Sequence, residues 1–163
     1  MSAEVPWRVI RKDVSVDAPV KDVWEAWTTE EGVRSFFAPA SHIEFHVGGA
    51  YEILFDPTAP PGERGAEGTR ILALQPPRMV AFTWNAPPNL TSVRAQFTHV
   101  QIWIQAEDAN RVLVTLIHSG WGAGGQWDEA FAYFEHAWGD VVLPRLAQRF
   151  ARGPIDWTDP PGR

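Results

Sequence analysis

From His42 to Ser119 apolar side chains recur at every second residue, whereas on either side of that stretch they recur at every third or fourth. A period of two alternates the faces of a strand and a period near 3.6 lines one face of a helix, so this chain needs a central β-region flanked by helices. Turn formers divide the middle into about six strands. Gly48-Gly49 marks a tight hairpin, Pro76-Pro77 and the run NAPPN at 85–89 break the ladder, and EDAN at 107–110 joins two long strands. The stretch PTAPPGERGAEG over 57–68 holds too much proline and glycine for a ladder and is expected to be a long loop. Connections this short make the sheet antiparallel.

Ahead of the sheet, residues 7–17 read as a strand, and Asp17-Ala18-Pro19 supplies a capping residue and an early helix proline. Val20, Val23, Trp24 and Trp27 then form one apolar stripe that ends near Thr28 or Thr29. A shorter helix is expected through Glu30 to Phe37, closed by Pro39. After HSGWGAGG a long helix to about Ala151 carries Trp127, Phe131, Phe134, Trp138, Val141 or Val142, and Leu146 on one side. Pro144 lacks a backbone donor and should bend that helix near residues 140–144. At 163 residues the chain suits one domain, with 1–152 as its body and 153–163 as an irregular tail.

The same sequence excludes several classes of function. Without cysteine there are no disulfides, thiolate metal sites or cysteine nucleophiles, and the composition fits a reducing compartment. Fourteen basic against twenty acidic residues give a net charge of -6, and no block of Lys or Arg follows a phosphate backbone, so no nucleic-acid partner is expected. The start MSAEVPWRVIRKD has no apolar signal core, and no apolar run approaches the roughly 18 residues of a membrane span. The reading is a soluble cytoplasmic protein with no membrane partner.

The order strand, two short helices, about six strands and one long helix resembles the α+β helix-grip fold of the START-like, or SRPBCC, superfamily. Within it, VSVDAPVKDVWEAWT, HVGGAYEI, PPRMVAFTW, VTLIHSGW and HAWGDVVLPRLAQRF, spread over residues 8 to 151, resemble the Aha-like branch, named for activators of the heat-shock ATPase. The resemblance implies a curved antiparallel sheet of about seven strands wrapped around the C-terminal helix. It also implies a cavity between them for an apolar or amphipathic small molecule. Members of the superfamily include binders, cyclases, hydrolases and a co-chaperone domain, and the fold does not select among these.

Nine tryptophans and nine phenylalanines supply the wall of such a cavity. Trp27, Phe36, Phe37, Tyr51, Phe82, Trp84, Trp121, Trp127, Phe131, Phe134 and Trp138 are the candidate ligand-contacting aromatics, most of them also needed as core. Phe55 continues the inward row of Tyr51 and Ile53. His118 extends the inward row Val112, Val114, Leu116, so its ring faces the interior, either as a satisfied core histidine or as a ligand contact. Ser119 points the other way, which leaves no hydrolytic triad. His42, Glu44 and His46 alternate with Ile43, Phe45 and Val47; the apolar set belongs to the core and the histidines to water, so no metal site is assigned.

No converging pair of polar groups earns a catalytic assignment, and no cofactor is expected. The expected function is therefore a binding domain whose ligand enters between the long helix, the 57–68 loop and the short helices. His118 or Tyr51 would orient the ligand's polar end. The alternatives are a chaperone-accessory role on the outer surface and a small cyclase- or hydrolase-type enzyme with His118 as acid or base. On the far side of the sheet Phe97, His99, Trp103, Leu113 and Ile117 form an apolar face. Either a homodimer forms through it, or the tail covers it with Ile155 and Trp157.

Overall fold

The computed structural model describes residues 7–162. Strand β1 (Ile10–Val16) leads into helices α1 (Val20–Thr28) and α2 (Glu30–Phe36). Strands β2 (Ala40–Ile43), β3 (Tyr51–Leu54), β4 (Gly65–Ala66), β5 (Ile71–Gln75), β6 (Met79–Trp84), β7 (Thr98–Asp108) and β8 (Arg111–Ser119) follow. The chain ends in α3 (Gln126–His136), a π-helical stretch (Ala137–Val142) and α4 (Leu143–Arg152). Five strands pair antiparallel in the order β1-β8-β7-β6-β5, and β2-β3-β4 form a second set. The two sets are stitched together by the Tyr51 amide donating to the Thr69 carbonyl and the Ile71 amide donating to the Gly49 carbonyl, each at 2.9 Å. This is the α+β helix-grip architecture.

Register carries the binary pattern into a core. Ile10, His118, Val100 and Phe82 stand in one row across the sheet, and the next inward row joins Leu116, Ile102 and Val80. Their apolar members are buried in one cluster with Trp138, Val142, Leu143 and Leu146 of the C-terminal helical stretch, and His118 is buried beside them. That stretch is not one continuous α-helix. The Leu143 amide donates to the Trp138 carbonyl, five residues back, and Pro144 follows at once. Pro144 has no N–H, and its ring would strike the carbonyl four residues earlier in an ordinary α-turn. The π stretch widens the turn where the proline needs room.

Several local expectations are corrected. The first strand begins at Ile10 rather than residue 7. Asp17 caps nothing: Pro19 occupies the N-cap of α1 with extended backbone and no side-chain cap bond. Thr29 is the residue that caps, its hydroxyl accepting from the Gly32 amide at 2.9 Å at the start of α2. Helices α1 and α2 meet so tightly that a Cβ on Gly32 would run into the Glu25 carbonyl oxygen. The 57–68 loop contains the short strand β4, which pairs with Ile53 and Leu54.

Strand β2 stops at Ile43, so Phe45 and Val47 lie in the following bend at 43% and 61% exposure instead of in the core. Phe55 lies just past the end of β3 and is 42% exposed, no longer in the inward row of Tyr51 and Ile53. Residues 153–162 have no regular element. They dock on α2 through the Ile155 amide to the Ser35 carbonyl at 2.9 Å and the Trp157 indole N–H to the Arg34 carbonyl at 2.7 Å.

Candidate functional site

The space between sheet and helix is filled by rings. Trp27, Phe36, Phe37, Tyr51, Phe82, Trp84 and Trp138 are all buried. Phe37 lies at the centre of this packing, with centroids 5.3 Å from Trp27, 5.4 Å from Phe36, 5.8 Å from Trp84 and 5.9 Å from Trp138. Tyr51 stacks on Phe82 at 4.3 Å, and its hydroxyl donates to the Trp27 carbonyl at 2.7 Å. Burial holds that phenol well above its ordinary pKa. Its only polar atom is therefore neutral and already engaged.

His118 is fully buried, and both ring nitrogens are occupied. The Trp138 indole N–H can only donate, and it reaches His118 Nδ1 at 3.0 Å, so Nδ1 is the unprotonated acceptor. Nε2 then carries the proton and donates to the Thr98 hydroxyl at 2.6 Å, and Thr98 in turn donates to the Trp84 carbonyl at 3.4 Å. Burial pushes the imidazole well below its ordinary pKa, and the neighbouring His99 adds to the shift. The site holds a neutral histidine of fixed tautomer. No ring nitrogen is left for an acid or base step.

Trp121 covers His118 at 4.2 Å between centroids and donates its indole N–H to the His118 carbonyl at 3.0 Å. Trp127 and Phe131 are half-buried and pack edge-on around Trp121 at 6.3 and 5.4 Å, beside a small cluster of Ala86, Leu90, Val93 and Ala130. Phe134 stacks on Trp138 at 5.8 Å and closes this outer layer against the inner one. The twelve expected residues thus form an inner core around Phe37 and an outer layer around Trp121.

Only Trp84 and Phe134 of that set line the nearby pocket, a space of about 140 Å³ between the 57–68 loop, the turn after β6 and α3. Its rim adds Phe55, Pro87, Pro88 and Tyr133 to a set of polar groups that was not legible in the sequence. Arg94 donates through Nε and Nη2 to the Gly62 carbonyl at 3.0 and 2.7 Å, through Nη2 to the Gly65 carbonyl at 2.9 Å, and through Nη1 to the Ala86 carbonyl. Glu67 lies 3.5 Å from Arg94 and accepts the Gly62 and Arg64 amides at 2.9 and 3.0 Å. Desolvation lowers the Arg94 pKa, opposed by Glu67 and Glu63. Asn85 donates to the Gly65 carbonyl at 2.9 Å. One arginine therefore fixes the loop over the pocket, which explains how so proline- and glycine-rich a segment keeps one shape.

A larger depression of about 710 Å³ lies between α1, α2, α4 and the tail, its wall including the exposed Asp22, Glu25, Glu31 and Arg34. It does not touch the aromatic layers. His42 and His46 approach Glu44 at 3.1 and 3.9 Å, yet all three are exposed, and among the described residues no group of three or more such side chains could hold a metal. On the outer sheet face Phe97 and Trp103 stay 44% and 38% exposed. The tail does not cover that face, because it lies on α2. Polar pairs also break up the apolar patch: Trp103 donates to Gln101 at 2.9 Å and Thr115 to Asp13 at 2.6 Å. Among the described residues no helix is long and apolar enough to cross a membrane.

Residues 17–151 match the family model described as Activator of Hsp90 ATPase homolog 1-like protein. No curated protein matches the chain. Among solved structures, protein MLL2253 from Mesorhizobium loti is 16% identical with a TM-score of 0.70, covering 91% of this chain and 100% of that one. The Aha1 dimer from Colwellia psychrerythraea is 19% identical with a TM-score of 0.67, covering 90% and 98%. The Hsp90 activator PFC0360w from Plasmodium falciparum is 14% identical with a TM-score of 0.65, covering 90% and 96%. At such identities the likeness to these structures is one of fold.

Proposed function

The chain belongs to the family of activator of Hsp90 ATPase homolog 1-like proteins, and on that premise we propose that it is a binding domain for a small, largely apolar molecule. The observation that carries this reading is the pocket of about 140 Å³ lined by the buried Trp84 and Phe134 and, further out, by Phe55 and Tyr133 together with the polar Arg64, Asn85 and Arg94. Burial of apolar surface drives binding, and the rim orients the ligand. The inner rings around Phe37 form the next layer behind Trp84 and Phe134, so a larger ligand must displace packed aromatics. That is costly in an interior packed to crystal-like density.

Intrinsic tryptophan fluorescence tests the proposal, since Trp84 touches the pocket and Trp138 lies against Trp84 at 5.3 Å between centroids. Titration with a panel of single-ring and short-chain apolar compounds should give saturable quenching by some of them. If none quenches saturably, the reading fails.

The family description favours a second reading, a chaperone-accessory role, which would use the outer surface. Adding the protein to an Hsp90 ATPase assay separates the two, because a pure binding domain leaves the rate unchanged. We also infer a homodimer through the outer sheet face around Phe97, Trp103, Leu113 and Ile117. The exposed Phe97 and Trp103 support it, as does the existence of a dimer in the Colwellia relative.

A further inference from the structure

The pocket rim has unspent hydrogen-bonding capacity, and it is not evenly divided between donors and acceptors. Arg64 is half-buried and uses only Nε, on the Ala59 carbonyl at 2.8 Å. Its two Nη groups have no partner among the described residues, and neither does the indole N–H of Trp84, a residue only 2% exposed. Arg94, by contrast, is spent on three carbonyls and Glu67. The carboxylates at the rim, Asp56 and Glu63, are exposed, and Asp56 already accepts the amide and hydroxyl of Thr58 at 3.2 and 2.8 Å.

Which charge the pocket favours follows from burial. An exposed carboxylate is hydrated and screened, so leaving it unpaired costs little. A half-buried guanidinium and an indole N–H on a residue only 2% exposed have lost part of their water and gain most from a new acceptor. Guanidinium also presents parallel N–H groups that fit a carboxylate in bidentate fashion. Size supplies the second constraint: a space of about 140 Å³ is close to the cavity volume known to admit one benzene ring.

We propose that the pocket takes a monocyclic aromatic carboxylate, its ring against Phe134 and its carboxylate shared by the Arg64 Nη groups and the Trp84 indole N–H. The inference rests on the ligand-binding reading of the same pocket.

The test uses the intact chain and three probes of one shape: benzoate, the neutral benzamide and the cationic benzylamine. Each is titrated to about 20 mM, since ligands of so few atoms bind weakly, while the indole N–H signals are followed by NMR. Benzoate should shift the Trp84 signal with a Kd at least about 10-fold below that of benzamide, with benzylamine weakest. Arg64→Gln should remove the advantage of benzoate and leave benzamide unchanged. Equal affinity for benzoate and benzamide, or preference for benzylamine, overturns the carboxylate assignment while the pocket reading survives. If no probe moves the Trp84 signal, both fall. The comparison among probes on the unaltered protein decides the matter even if Arg64→Gln does not fold.

Discussion

Acidification should destabilise this protein through His118 in particular. The buried ring accepts from Trp138 at Nδ1 and donates to Thr98 from Nε2. A second proton would set an N–H against the Trp138 N–H and charge a residue with no exposed surface. The folded-state pKa is therefore held well below the ordinary 6.5. Below that ordinary value the unfolded chain binds a proton that the folded chain refuses. Stability is thus fully present above 6.5 and is lost as pH falls toward the folded pKa. Between the two pKa values the slope approaches about 1.4 kcal/mol per pH unit, so this residue alone costs on the order of 1 kcal/mol for each unit of acidification in that window, read between about pH 7.5 and about pH 5. Carboxylates add their own pH dependence, so the measurement is a difference. Urea midpoints are taken at both pH values for the natural chain and for His118→Asn, whose side-chain oxygen can still accept from Trp138. The variant should be less stable near neutrality by about 1–3 kcal/mol and lose less on acidification. Parallel losses in the two chains would refute the reasoning.

Trp138→Phe keeps most of the ring area but deletes the donor to His118, and should cost about 1–3 kcal/mol in thermal or chemical unfolding because Nδ1 is left buried and unpaired. Arg94→Gln should raise amide hydrogen exchange across residues 57–68 and leave β7 and β8 protected, because Arg94 bonds the Gly62 and Gly65 carbonyls. Gly32→Ala should destabilise by about 1–3 kcal/mol, since the new Cβ meets the Glu25 carbonyl and the α1–α2 corner must open. Trp103→Glu should convert a dimer to a monomer in sedimentation, whereas removing residues 153–163 should not, because the tail lies on α2. A monomer at tens of micromolar for the unaltered chain would defeat the dimer.

Periodicity carried much of the architecture. Alternation in VLVTLIHS determined that Val112, Val114, Leu116 and His118 share one face, and the helical spacing of Phe134 and Trp138 determined that they do too. Such patterns report which side of an element is apolar, a property of neighbours in sequence. They fail where an element stops: Phe45 and Val47 alternate correctly but lie beyond the strand, because pairing with β3 ends after Ile43 and the Glu44 amide bond to the Ala50 carbonyl. The π stretch was half legible, since Pro144 announces a disturbance without saying how the chain absorbs it.

What the sequence by itself determined is the class of fold, the inward placement of His118 and the aromatic character of the interior, all consequences of local spacing. Only the tertiary structure decided that His118 is sealed between Thr98 and Trp138, each 20 residues away, and that Arg94 reaches back about 30 residues to clamp the 57–68 loop. It also decided that the tail docks on α2 instead of the outer sheet. These are meetings between groups distant in the chain. A hydrogen bond depends on placement within a few tenths of an ångström, which the packing of the whole core determines and no local pattern encodes.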